Sequence, residues 1–182
     1  MSGPDALVRW LLTQEPRLGS TGRLLAVDGP AGAGKTTYAA AIAAGAPGTV
    51  RVLHLDDMYE GWNGLGDVAA RVRDNLLLPL SAGRAGGYRR WDWVDDGWAE
   101  WVPVEPVDLL VLEGVGSGSL EIAPYLSGLV WVDASYPVRM ERGLARDGAA
   151  FAPQWRAWAE AEQDHFAEHG TELRADLRVT TG

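Results

Sequence analysis

Cysteine is absent from this chain of 182 residues, and lysine occurs once, at Lys35, against fifteen arginines. Without cysteine there is no disulfide framework, no thiol nucleophile and no cysteine-ligated metal, and nothing contradicts a reducing compartment. The chain also lacks the uninterrupted run of ~18 apolar residues that a membrane span requires. Its start, Met1-Ser2-Gly3-Pro4-Asp5, lacks the basic residues of a secretion signal. The expectation is a cytoplasmic protein with no membrane attachment. Positive charge is scarce as well: a net charge of -9 argues against a general nucleic-acid surface, which relies on clustered Lys and Arg, and favours work on small molecules.

What is present suffices for one domain, 1–182, with its own core, at 47% hydrophobic residues. Short apolar runs bounded by turn residues or charge predict strands at Arg23–Asp28, 50–55, 107–112, 129–133 and 176–180. Helical patterns fall between them, at 35–44, 67–80, 120–126, 137–146 and 153–168. Leu7, Val8, Leu11 and Leu12 stand at helical spacing and predict a further helix within residues 1–20. Strands that alternate with helices imply a mostly parallel five-stranded sheet flanked by helices. Ligands of such sheets sit beyond the carboxyl ends of the strands. Tyr88-Arg89-Arg90-Trp91-Asp92-Trp93 and the stretch 98–102, on either side of Asp95-Asp96-Gly97, predict an inserted β-hairpin at 84–104.

Gly29-Pro30-Ala31-Gly32-Ala33-Gly34-Lys35-Thr36 fits G-x-x-x-x-G-K-[ST], between a predicted strand and a predicted helix, which makes the fold class α/β of the P-loop NTPase type. The glycines let backbone N–H groups converge on phosphate oxygens, and the start of the following helix adds a partial positive charge. Residues 29–37, through Thr37, are therefore expected to bind ATP. Lys35 reaches the β- and γ-phosphates in this reading, and the Thr36 hydroxyl binds Mg²⁺. Glu113 follows the apolar run Leu109-Leu110-Val111-Leu112 and is the expected second metal group, directly or through water.

On the acceptor side, Asp56 and Asp57 close the second predicted strand, with Tyr59 just beyond. A carboxylate there can take the proton of an attacking hydroxyl, or else cap a helix or back up the metal site. Asp56 is the expected base; solvent exposure or capping accounts for Asp57. Arg139, Arg142 and Arg146 recur at spacings of three and four, which puts them on one helical face. That face is either a phosphate-neutralising helical lid, 139–153, or a solvated, salt-bridged surface. The stripe Trp155, Trp158, Glu162, His165 and Phe166 reads as packing. His165 and His169 are four apart, but without a further ligand pattern no metal is assigned to them.

In this order, the loop at 29–36, the D-x-x-Y element Asp56-Asp57-Met58-Tyr59, the strand ending Val111-Leu112-Glu113-Gly114, Val132-Asp133 with the following arginines, and Ala175-Asp176-Leu177-Arg178-Val179 resemble the uridine/cytidine kinase family of P-loop nucleoside and nucleotide kinases. The resemblance covers most of residues 24–180, with gaps, and the region after the lid helix departs from it. It implies that Asp56 activates a nucleoside 5′-hydroxyl and that Tyr59 lies near the base. It also makes Trp91-Asp92-Trp93 the counterpart of an aromatic-Asp-aromatic hairpin over the nucleoside, with Tyr88 and Arg139 as further substrate residues. Packing remains the alternative for both tryptophans.

The reading that results is an ATP- and Mg²⁺-dependent kinase whose small-molecule acceptor is uridine or cytidine, with Asp56, Lys35, Arg142 and Arg146 as catalytic groups. The rivals are a nucleoside monophosphate, sugar or small-acid acceptor, or an ATP-binding regulatory protein. A GTPase is disfavoured, because its N-K-x-D element needs a lysine and Lys35 is already committed.

Overall fold

The first strand, β1 (Arg23–Asp28), is buried along nearly its whole length, which is why it reads as a continuous apolar run rather than an alternating one. In the computed structural model, which describes residues 3–148 and 152–182, β1 lies at the centre of a five-stranded sheet. The order is β2 (Val50–His54), β5 (Leu109–Glu113), β1, β6 (Gly128–Asp133) and β7 (Leu177–Thr180), and every pairing is parallel. Leu24 pairs with Leu110 and Ala26 with Leu112. The β1 end is thereby set beside the end of β5, while Asp28 stands opposite Trp131 and β6 runs on to Asp133, so the residues that follow these strands meet above one edge.

Alternate residues of the strands feed two cores. Leu25, Val27, Val111, Val130 and Val132 face α1 (Pro4–Leu11) and α2 (Lys35–Gly45), where Leu7, Leu11 and Ile42 meet them. Leu24, Leu53, Leu110 and Leu112 face Val68, Leu76, Leu77 and Trp158 on the other side. The helices of that second side are α3 (Leu65–Val72), α4 (Leu78–Ser81) and α6 (Ala152–His169). Between α5 (Tyr136–Asp147) and α6, residues 149–151 of the expected lid lie outside the described residues. A last short helix, α7 (Thr171–Arg174), leads into β7. Among the described residues no helix is long and apolar enough to cross a membrane.

Several elements differ from the sequence pattern for local reasons. The helix expected at 120–126 is only a 3-10 turn, Ala123–Tyr125. Seven residues barely offset helix nucleation, and Pro124 has no amide to donate. The N-terminal helix stops at Leu11, where the Thr13 hydroxyl takes the Trp10 carbonyl and Pro16 disfavours continuation. The helix expected at 67–80 runs on as predicted but widens into a π-turn at Arg73–Leu77. Pro79 cannot bond back to Asn75, and the chain at Gly86 comes so close to the Asn75 and Leu76 carbonyls that a Cβ would collide with them. The hairpin of β3 (Gly86–Asp92) and β4 (Gly97–Val104) turns through residues 93–96 instead of 95–97. Asp92 Oδ1 accepts the Val94 and Asp95 amides at 2.9 and 3.1 Å and so places Trp93 in the turn.

The sheet edge is tied together by Asp28, which is fully buried. Its carboxylate accepts the amides of Gly29 at 2.7 Å, Gly116 at 3.0 Å and Gly118 at 2.8 Å. The loop after β5 is thus folded onto the end of β1. Burial nevertheless outweighs these donors and the nearby Lys35, and raises the Asp28 carboxyl from 3.8 to about 6. Between those values the folded protein holds a proton that the unfolded chain has released. The contribution of Asp28 to stability is therefore complete below pH 3.8 and declines, by on the order of 3 kcal/mol, as pH rises through the window to 6. The carbon-13 shift of the Asp28 carboxyl is expected to titrate near pH 6; a midpoint at or below 4 would contradict this balance. In the core, Leu110→Ala is expected to cost about 2–5 kcal/mol in chemical denaturation, because Leu110 is wholly enclosed on the central sheet.

Candidate functional site

Three glycines shape the turn between β1 and α2: Gly29, Gly32 and Gly34 have φ of 138°, 77° and 94°. Such angles favour glycine, and two of these positions are also closed to a side chain. A Cβ on Gly29 would overlap the Val132 carbonyl oxygen, and one on Gly32 the carbonyl of Arg139. Pro30, Ala31 and Ala33 complete the loop, which delivers its backbone to the N-terminus of the eleven-residue α2. That arrangement suits anionic phosphate. Lys35 opens α2, is buried, and donates to the Pro30 carbonyl at 3.0 Å, so its ammonium lies along the loop. Thr36 and Thr37 are exposed beside it.

The Thr36 hydroxyl donates to Glu113 Oε1 at 2.9 Å. Glu113, at the end of β5, is almost fully buried, and the same oxygen lies 2.5 Å from His54 Nδ1. The bond to Glu113 is the main reason that the His54 imidazole is raised above its ordinary value. A hydroxyl and a carboxylate at this spacing are hard oxygen donors and fit Mg²⁺, which binds through one or two protein groups and completes its shell with water and phosphate oxygens. Among the described residues no group of three His, Cys, Asp or Glu side chains is arranged to hold a metal by itself.

Asp56 and Asp57 stand in the 3-10 turn Leu55–Asp57 that follows β2. Solvent reaches the Asp56 side chain, yet the surrounding protein desolvates it enough to raise its carboxyl. Lys35 and Arg146 pull it down, while Glu113 and Asp57 push it up. The expected phosphate lysine, metal carboxylate and lid arginine thus all act electrostatically on the expected base. Asp57 is raised too, chiefly by desolvation, with His54 and Arg90 opposing.

The aromatic residues expected around the acceptor divide. Tyr59 is buried, donates to the Val115 carbonyl at 2.7 Å, and stands edge-on to Trp158 at 5.0 Å. Edge-to-face contacts continue from Trp158 to Trp62 at 6.0 Å and from Trp62 to Trp93 at 5.6 Å. Trp93 is 42% exposed, and its indole N–H donates to the Asp56 carbonyl at 2.8 Å, which brings the hairpin turn against the turn that carries Asp56. Trp91, by contrast, is buried edge-on to Trp98 at 5.0 Å. Asp92 caps the turn and pairs with Arg90 at 3.1 Å. Tyr88 is half-buried against the core.

The three arginines of α5 also take separate places. Arg139 donates to the carbonyls of Ala134 at 3.1 Å and Ala31 at 3.3 Å and pairs with Glu162 at 3.0 Å. Arg142 reaches the Gly32 carbonyl at 3.4 Å and Thr181 Oγ1 at 2.9 Å. Arg146 lies over the Trp155 ring at 5.7 Å, within reach of the field of Asp56. Asp28, His54 and Glu162 were not anticipated as parts of this site. Glu162 stood in a stripe read as packing, and only its charge on an apolar face signalled more. His165 and His169 stack at 4.2 Å; burial lowers His165 to about 4, and its Nε2 lies 3.1 Å from Ser119 Oγ.

No protein-family model matches the chain, and no curated protein matches it. Solved structures do. A "possible uridine kinase" from Bacillus stearothermophilus is 21% identical, with 97% of this chain and 96% of that one covered and a TM-score of 0.67. A provisionally assigned fructose transport system kinase from Silicibacter sp. TM1040 is 16% identical, with 98% and 99% covered and a TM-score of 0.68. At these identities the likeness is one of fold, and it extends over nearly the whole length of each chain. The chain has the α/β fold of P-loop kinases, with an added antiparallel hairpin.

Proposed function

We propose that this protein is an ATP- and Mg²⁺-dependent kinase that transfers the γ-phosphate to a hydroxyl of a small molecule. The observation that carries this reading is the state of Asp56: a carboxyl raised by desolvation and acted on by Lys35, whose ammonium lies along the phosphate loop. The loop amides and Lys35 hold the phosphates. Thr36 and Glu113 hold Mg²⁺, which when bound neutralises charge on the phosphates. Asp56 accepts the proton of the acceptor hydroxyl as the new O–P bond forms and the bond to ADP breaks. Arg146 supplies positive charge from the lid side, and Arg142 steadies the loop through Gly32.

For the acceptor, the ordered motifs and the position of Trp93 beside Asp56 support the 5′-hydroxyl of uridine or cytidine, with the exposed indole as a face for the base. A second reading, a sugar or small hydroxy acid, is favoured by a specific feature. Tyr59, Trp91 and Asp92, the other residues expected around a base, are engaged in packing and in the hairpin turn. The kinase fits of the sheet and loop serve either acceptor equally.

The test is a mass-detected phosphorylation screen of nucleosides, nucleoside monophosphates, sugars and small hydroxy acids with ATP and Mg²⁺. A single added phosphate on uridine or cytidine supports the first acceptor, and selective transfer elsewhere the second. Tight ATP binding without transfer to anything would turn the reading towards a regulatory ATP-binding protein. Asp56→Asn is expected to lower transfer by ~10²-fold or more while ATP still binds. Undiminished turnover in that variant would remove Asp56 from the role of base.

A further inference from the structure

Ala31, between Gly29 and Gly32 in the phosphate loop, is held at both its amide and its carbonyl. Its N–H donates to Glu162 Oε2 at 2.8 Å, and its carbonyl accepts from Arg139 Nη1 at 3.3 Å. The same Arg139 nitrogen donates to the other Glu162 oxygen, Oε1, at 3.0 Å, which closes the contacts into a ring. Glu162 comes from α6, 131 residues along the chain from Ala31, and is only 2% exposed. A carboxylate is expensive to bury unless its oxygens are matched by donors, and here each oxygen has one. Burial raises the Glu162 carboxyl, while the Ala31 amide, Lys35 and Arg139 act against that rise.

We propose that Glu162 is a positioning residue for the phosphate loop, acting with Arg139 to fix the peptide groups of Ala31 and so hold the loop in its phosphate-binding shape. The inference rests on the reading of the loop as a triphosphate site. Its physical basis is entropy. Gly29, Gly32 and Gly34 give the loop a backbone that is costly to order, and a clamp on the residue between the first two removes that freedom before any ligand arrives. A preorganised loop binds more tightly, and the gain falls on ATP rather than on the acceptor. Arg139, engaged with Ala31 and Glu162, consequently works on the loop rather than on the acceptor.

The test is calorimetric titration of the full chain with a non-hydrolysable ATP analogue and Mg²⁺, alongside amide exchange at Ala31 and steady-state kinetics. Glu162→Ala is expected to weaken analogue binding about tenfold, to speed Ala31 exchange, and to leave the acceptor KM within about twofold. Glu162→Gln keeps an acceptor for the Ala31 amide and is expected to recover part of the loss, to about threefold. Wild-type affinity together with wild-type Ala31 exchange in Glu162→Ala would overturn the proposal. Should that variant not fold by circular dichroism, Glu162→Gln and Arg139→Gln carry the same readouts, and wild-type behaviour in both overturns it. If the unaltered protein does not bind the analogue, the triphosphate reading fails instead, and Ala31 exchange in the variants still decides whether the clamp holds the loop.

Discussion

The buried carboxylate of Asp28 is the constraint on which the rest of the site depends. A parallel sheet ends in a row of loops that must each find partners for their backbone groups, and here one side chain gathers amides from two of them. The first residue of the phosphate loop and the glycine-rich segment after β5 are thereby drawn to a common point. Glu113, the last residue of β5, is held in register between Val27 and His54 beside this junction, within reach of Thr36.

A second set of contacts acts from the opposite side. The backbone of the loop passes so near Val132 and Arg139 that only glycine fits at two positions, and Arg139, Arg142 and Glu162 then occupy its outward carbonyls and one amide. The loop is thus enclosed between β6, α5 and α6 rather than projecting freely. At Asp56 the restraint comes from the hairpin, whose Trp93 meets the Asp56 carbonyl and continues a line of edge-to-face rings down to the core at Tyr59. Asp56 therefore stands on a turn held by the hairpin above and by the core beneath.

Much of this fold was legible because its signals are local. The continuous apolar runs of β1, β5 and β6 are what strands covered on both faces look like, and the spacing of Gly29, Gly34, Lys35 and Thr36 carries its meaning within a few residues. What escaped the sequence depends on separation or on direction. The contact of Glu162 with Ala31 spans 131 residues, and periodicity marks the face of α6 without saying what it meets. Asp28 ends a strand like many acids; its meaning comes from the loop after β5. Tyr59 shows the same limit in reverse. Its motif position points to a substrate, while the side chain turns inward to the Val115 carbonyl, where no neighbouring residue in the sequence announces an acceptor. The helix pattern at 120–126 failed on its shortness together with Pro124, whose missing amide counts for more in a short segment than its apolar neighbours do.

The solitary lysine has a chemical consequence of its own. In most proteins a reagent that acylates or reductively alkylates amines spreads over many surface sites, and its pattern says little about any one of them. In this chain the sole ε-amine is that of Lys35, sheltered along the phosphate loop against the Pro30 carbonyl. Amine-directed labelling of its side chains therefore has one address, and the extent of modification reports directly on the accessibility of the loop.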